Sequence, residues 1–111
     1  MSDRLRLLLV CSRNQWRSPT AERIYARDPR VQVRSAGTSK SARRRVRETD
    51  LEWADIVFVM EHDHARRIRA MGGRDARVEI LEIPDDYPAM DPELIDLVRE
   101  RVEPVLENAL R

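Results

Sequence analysis

A chain of 111 residues, 41% hydrophobic and 37% charged, is sized for one compact domain spanning 1–111, with no room for a second core. A net charge of +1 argues for no particular partner, and the apolar run at 7–10 is too short for a signal peptide or a membrane span. Cys11 is the only cysteine, which excludes an internal disulfide and, with no export signal, points to a reducing, cytoplasmic setting.

Residues 5–10 read as a buried strand, and Ser18-Pro19 then opens a helix to about Arg27, serine as N-cap and proline at the first helical position. Asp28-Pro29 ends it. A short alternating strand follows at 31–35, then a loop through Gly37-Thr38-Ser39 and a modest helix at 42–52. The run Arg43-Arg44-Arg45-Val46-Arg47 reads as the solvated face of that helix. Residues 56–60 form a third strand, rich in β-branched side chains, and 62–71 a helix stopped by Gly72-Gly73. Residues 78–83 are the fourth strand and 84–90 a loop. Asp91-Pro92 caps a last helix to about Leu110, with Leu94, Ile95, Val98, Val102, Val105 and Leu106 as its apolar stripe.

Strands alternating with helices in this order predict a three-layer, doubly wound α/β fold: a four-stranded parallel sheet covered on both faces. Ligands of such sheets bind beyond the carboxyl ends of the strands, at a switch point. Attention therefore falls on the loops after Val10, Ser35, Met60 and Ile83.

The first of these reads Cys11-Ser12-Arg13-Asn14-Gln15-Trp16-Arg17-Ser18-Pro19. A loop of this length between a strand and a helix can curl until its backbone N–H groups converge on a tetrahedral oxyanion, with the helix dipole behind them. Residues 12–18 are thus the candidate phosphate-binding loop. The same field favours thiolate over thiol at Cys11. Ser18 could donate a hydrogen bond to the sulfur, and Arg17 could hold two phosphoryl oxygens with its planar fork.

Val10-Cys11-x-x-Asn14-x-x-Arg17-Ser18-Pro19-x-Ala21-Glu22 resembles the active-site signature of the low-molecular-weight protein tyrosine phosphatases. Residues 33–38, residues 53–61 with His64, and Pro84-Asp85-Asp86-Tyr87 resemble that family's second strand, third strand and acid-bearing loop, in order. The resemblance implies the phosphotyrosine protein phosphatase I-like fold. It also implies a two-step reaction through a phosphocysteine at Cys11, with an aspartic acid as proton donor and then as base. Alignment on Tyr87 makes Asp85 that acid, although Asp86 stands where the family has proline. Asn14, Ser18 and Ser35 match supports of the phosphate loop. Tyr87 matches the pocket wall, where it would stack on an aromatic leaving group.

The segment between Thr38 and Trp53 is much shorter than in the family, and with it go part of one pocket wall and a supporting histidine. Trp16 stands where the family has a second loop cysteine, so the disulfide that shields the nucleophile cannot form. The implied substrate is a phosphotyrosine protein or a small aryl phosphate, acted on by a monomer with no cofactor, no metal, no nucleic acid and no membrane association.

Two readings from other classes remain beside it: an arsenate reductase using an external thiol, and a non-catalytic phosphate- or phosphotyrosine-binding module. Glu61-His62-Asp63-His64 invites a metal, but histidines two apart on a helix face away from each other. The arginine run lacks the interleaved aromatics of a nucleic-acid surface.

Overall fold

The computed structural model describes residues 4–72 and 75–111. Its elements alternate as β1 (Leu5–Cys11), α1 (Arg17–Tyr25), β2 (Val31–Gly37), α2 (Glu48–Trp53), β3 (Ile56–Val59), α3 (His62–Ala70), β4 (Val78–Ile80) and α4 (Pro92–Ala109). The strands are parallel throughout and lie in the order β2-β1-β3-β4. From β1 the chain moves outward to β2 and then crosses back to β3 on the other side. The switch point therefore falls at the carboxyl end of β1, where Cys11 stands.

Strand alternation explains why the run at 7–10 is apolar on both faces. Leu7 and Leu9 share one core with Cys11, Ile56, Phe58 and Met60, closed by Ala21 and Tyr25 of α1 and Leu94, Val98, Val102 and Leu106 of α4. Leu8 and Val10 share the other with Val57 and Val59, closed by Leu51 of α2 and by Ala65 and Ile68 of α3. On α4 the flank of the buried stripe is Leu97 and Val105, with Ile95 outside the cluster. Among the described residues no helix is long and apolar enough to cross a membrane.

Two sequence expectations need correction. Helix α1 begins at Arg17, with Trp16 as an N-cap that makes no side-chain capping bond. Ser18 therefore lies inside the first turn, and Pro19 occupies the third helical position, where a missing N–H still removes nothing from the helix. The helix expected at 42–52 is confined to Glu48–Trp53. Ahead of it the chain pairs with the end of β2: Gly37 N–H donates to Arg44 O at 2.8 Å, and Val46 N–H to Gly37 O at 2.9 Å. Burial of Val46 fixes that course. The arginine run is thus not a helix face.

Smaller differences concern ends. Strand β2 reaches Gly37, two residues further than its alternation indicated. Beyond β4, Leu81 and Ile83 still donate to Val59 O and Met60 O, which carries the chain back to the site end of the sheet. Gly72 adopts φ 106° after α3, a conformation that suits glycine; Gly73 lies outside the described residues. Asp91 caps α4 as expected, accepting from Glu93 N–H at 2.9 Å, with Pro92 first in the helix.

Candidate active site

The loop from Cys11 to Arg17 owes its shape to the segment after β2. Thr38, Ser39 and Arg43 donate their N–H groups to the carbonyls of Cys11, Ser12 and Arg13 at 3.0, 2.9 and 3.0 Å. With these carbonyls tied outward, the opposite face of the loop is left to N–H groups, as an anion nest requires. Gly37 allows the close approach: a Cβ there would lie 2.5 Å from Ser12 O and 2.6 Å from Ala42 Cβ. Asn14, at φ 56°, makes the left-handed turn that asparagine tolerates better than most residues.

Behind the loop runs a buried polar chain. Asn14 Nδ2 donates to Ser18 Oγ and to Ser35 Oγ, each at 2.9 Å, and Ser35 Oγ donates to Glu22 Oε1 at 2.6 Å. Because Ser18 Oγ accepts from Asn14, its own hydrogen is free for another partner. Cys11 Sγ is 3.0 Å away and Ala36 O 3.4 Å, so the hydroxyl is placed to donate to sulfur. Asn14, Ser18 and Ser35 are all buried.

A cleft of about 180 Å³ opens in front of the loop, lined by Cys11, Ser12, Arg13, Gln15, Trp16, Arg17 and Asp85. Five of the seven expected phosphate-loop residues line it; Asn14 and Ser18 stand behind. Asp85 lines the cleft and Asp86 does not. Tyr87 is not among the lining residues either; it is half-buried against the core of α1 and α4. The loop that carries Asp85 is fixed at both ends, by Ile83 N–H to Met60 O and by Met90 N–H to Thr20 Oγ1 at 2.9 Å.

Arg17 is 2% exposed, an unusual position for a guanidinium. Its Nη1 donates to Glu61 Oε2 at 2.6 Å and to Ile83 O at 2.8 Å. Its Nε has no hydrogen-bond partner, although it is buried, and Asp85 Oδ1 lies 3.6 Å from it. A buried N–H on a cation without an acceptor is costly unless something else occupies the space before it.

Sequence reasoning missed Glu61 and His64 as parts of this assembly. Glu61 follows β3 directly, and β3 neighbours β1, so sheet order brings it to Arg17. Three residues on, His64 Nδ1 accepts from Glu61 N–H at 3.2 Å. That leaves the ring proton on Nε2, which donates to Ser12 Oγ at 2.9 Å. Burial, and next the Arg17 charge, hold the proton affinity of His64 below its ordinary range, in keeping with a neutral ring. His62 faces elsewhere, 3.1 Å from Glu82, and no group of three or more metal-ligating side chains occurs among the described residues.

A strand–loop–helix turn thus brings a buried cysteine, a buried arginine and an aspartate to one cleft at the switch point of a doubly wound sheet. No family model matches the chain. It is 30% identical over 110 residues to the low molecular weight protein-tyrosine phosphatase A of Mycobacterium tuberculosis, covering 73% of this chain and 68% of the relative, and equally to that of Mycobacterium bovis. Among solved structures it resembles the tyrosine phosphatase Wzb of Escherichia coli K30 in complex with phosphate (TM-score 0.75, 22% identity, 97% of this chain and 99% of the other). A second is SP-PTP, the low molecular weight protein tyrosine phosphatase of Streptococcus pyogenes (TM-score 0.77, 19% identity, 94% and 92%). The chain belongs to the low-molecular-weight protein-tyrosine phosphatase family, a family of enzymes.

Proposed function

We propose that this protein hydrolyses the phosphate monoester of phosphotyrosine in a protein, or of a small aryl phosphate, through a phosphocysteine at Cys11. The observation that carries the reading is Arg17 Nε, buried without a hydrogen-bond partner on a residue that lines one cleft with Cys11. A phosphoryl oxygen is the acceptor it lacks. Glu61 and Ile83 O take Nη1, which fixes the guanidinium plane and leaves the Nε edge for equatorial oxygens.

In the first step Cys11 Sγ attacks phosphorus in line. The S–P bond forms as the ester P–O bond breaks, and Asp85 gives its proton to the departing phenolate. In the second step the Asp85 carboxylate takes a proton from water, whose oxygen attacks phosphorus. The S–P bond breaks, phosphate leaves, and the thiolate returns to the Ser18 hydroxyl. Arg17 and the loop N–H groups meet the charge that builds on the equatorial oxygens in both steps. Asp85 is preferred over Asp86 because it alone lines the cleft. A nucleophilic thiol suits the cytoplasm, where it stays reduced.

The test is turnover of a phosphotyrosine peptide and of an aryl phosphate by the wild type and by Cys11→Ser. Wild type should hydrolyse both. Cys11→Ser should hydrolyse neither while still binding inorganic phosphate. Turnover by Cys11→Ser near the wild-type rate would exclude the covalent route. Phosphate binding by a wild type with no turnover would favour a binding module, and arsenate reduction with an external thiol in place of hydrolysis would favour a reductase.

A further inference from the structure

The chain has five aromatic side chains, and the fold engages four of them. Phe58 and Tyr25 are buried in the α1/α4 core, and Tyr87 packs against it. Trp53 carries the Arg34 guanidinium 4.1 Å from its ring centroid. Trp16 is the remainder: 45% exposed, on the lining of the cleft with Cys11 and Asp85, and the only aromatic there among the described residues. It also occupies the N-cap of α1, where serine, threonine, aspartate or asparagine would satisfy an orphan N–H and tryptophan does not. A large apolar ring held in water at a position that asks for a small polar one breaks two local preferences. Such breaks concentrate at functional sites.

Resting on the phosphatase reading above, we propose that Trp16 is the specificity-determining wall of the site, stacking on the aromatic ring of an aryl phosphate bound at Cys11. Trp16 and Asp85 line the same cleft as Cys11, and on this proposal the ester group of a phosphate at the sulfur leaves the cleft between them. A flat ring passing there is covered on one face by the indole and meets the Asp85 carboxyl at the ester oxygen. Tyr87, which the family resemblance assigned to this role, packs half-buried against the core and is not among the residues lining the cleft. Alkyl phosphates and inorganic phosphate have no ring to stack, and their binding does not depend on Trp16.

The experiment compares inhibition by phenylphosphonate and by inorganic phosphate in wild type, Trp16→Ala, Trp16→Leu and Trp16→Phe. Stacking of this kind is worth about threefold to tenfold in affinity. Trp16→Ala and Trp16→Leu should weaken phenylphosphonate by that factor and leave phosphate within about twofold. Trp16→Phe should restore most of the loss. In Trp53→Phe protein, where Trp16 is the sole indole, phenylphosphonate should change the fluorescence more than phosphate does. Equal weakening of both anions would make Trp16 a support of the loop, and no weakening of either would remove it from the site; each result overturns the proposal. Trp16→Leu keeps apolar bulk, so the comparison survives should Trp16→Ala fold poorly. Absence of turnover with phosphate binding intact would count against the hydrolase reading alone, since the anion comparison needs no catalysis.

Discussion

Two buried charges, Asp50 and Arg17, are finished differently. Asp50, 1% exposed, is closed on every side: Arg44 Nη2 donates to it at 2.6 Å, Arg34 Nη1 at 3.4 Å and Arg47 N–H at 3.0 Å. Burial alone would push its carboxyl up, but the Arg44 and Arg47 bonds outweigh that and hold it below the ordinary carboxylate range. Arg17, 2% exposed, has Nη1 hydrogen-bonded but no hydrogen-bond partner at Nε, where Asp85 Oδ1 lies 3.6 Å away. A closed network spends its bonds on holding the chain; here it fixes the turn into α2 and, through Arg44 Nη1 to Ser35 O at 2.8 Å, the end of β2. An open one keeps a bond in reserve for a ligand. The open arrangement is the proposed site, although each of the two holds two ion pairs.

The largest effect expected from breaking the open arrangement is at its carboxylate. Asp85→Asn should slow phosphotyrosine hydrolysis by roughly 10²–10⁴, the range of a general acid. An activated aryl phosphate, whose phenolate leaves without help, should lose less in the first step. Asp86→Asn should cost little, since Asp86 does not line the cleft. Steady-state kcat on both substrates decides the matter, and a greater loss from Asp86→Asn would reverse the assignment.

Next is Arg17→Lys, which keeps the charge and removes the fork. A point charge cannot hold Glu61 and Ile83 O while also presenting an Nε edge, so turnover should fall about 10²–10³-fold. Stability in urea should change little, because the wild-type residue already leaves a buried donor unpaired. An unfolded variant, or one with normal kcat, would place Arg17 with Asp50 among structural charges.

How much of this contrast was legible in the sequence depends on distance along the chain. The buried run of β1, the Asp91-Pro92 cap and the strand–loop–helix order after Cys11 are local patterns, and they read correctly as elements. The course of residues 42–47 did not, because bonds to Gly37 and to loop carbonyls set it, against a composition that favours helix. The start of α1 was misplaced because Ser18, a good cap by type, gives its hydroxyl to Cys11 and Asn14. The pairings Arg17–Glu61 and Ser12–His64 span 44 and 52 residues and leave no periodic trace. Only the strand order, taken with a buried arginine in need of a carboxylate, could have suggested the first of them.

Breaking the closed network should affect stability before catalysis. Asp50→Asn removes the charge that Arg44 and Arg34 share and should lower the unfolding free energy by about 1–3 kcal/mol. The turnover of folded molecules should stay near wild type, measured after correction for the folded fraction. Because the folded-state affinity for protons is lowered, the stabilisation from Asp50 is present above the ordinary carboxylate range near pH 4. It is lost as pH falls further. The wild type should therefore lose stability below about pH 4 more steeply than Asp50→Asn. Parallel acid limbs would mean that Asp50 does not hold its charge in the fold.

The smallest effect sharpens the comparison most, because it joins the two ends of the open arrangement. Glu61 holds Arg17 with its side chain and holds His64 with its N–H, while His64 holds Ser12, so one short segment braces the loop at its first and last residues. The brace requires neutral His64, since a proton on Nδ1 would point at the Glu61 N–H. The charges that bear on the ring are Arg17 and Arg67, which disfavour protonation, and Glu61 and Asp63, which favour it; burial and Arg17 prevail. A histidine whose folded proton affinity is lowered binds fewer protons folded than unfolded. Stability is then full above the unfolded value near pH 6.5 and declines as pH falls from there toward the lower folded value. Urea midpoints between pH 7.5 and 5 should show this slope in wild type, and His64→Gln, which does not titrate, should flatten it. Since the same protonation would loosen Ser12, kcat/KM for an aryl phosphate should fall on the acid side in wild type more than in His64→Gln. Identical slopes in both proteins would detach His64 from the loop and leave Glu61 to hold Arg17 alone.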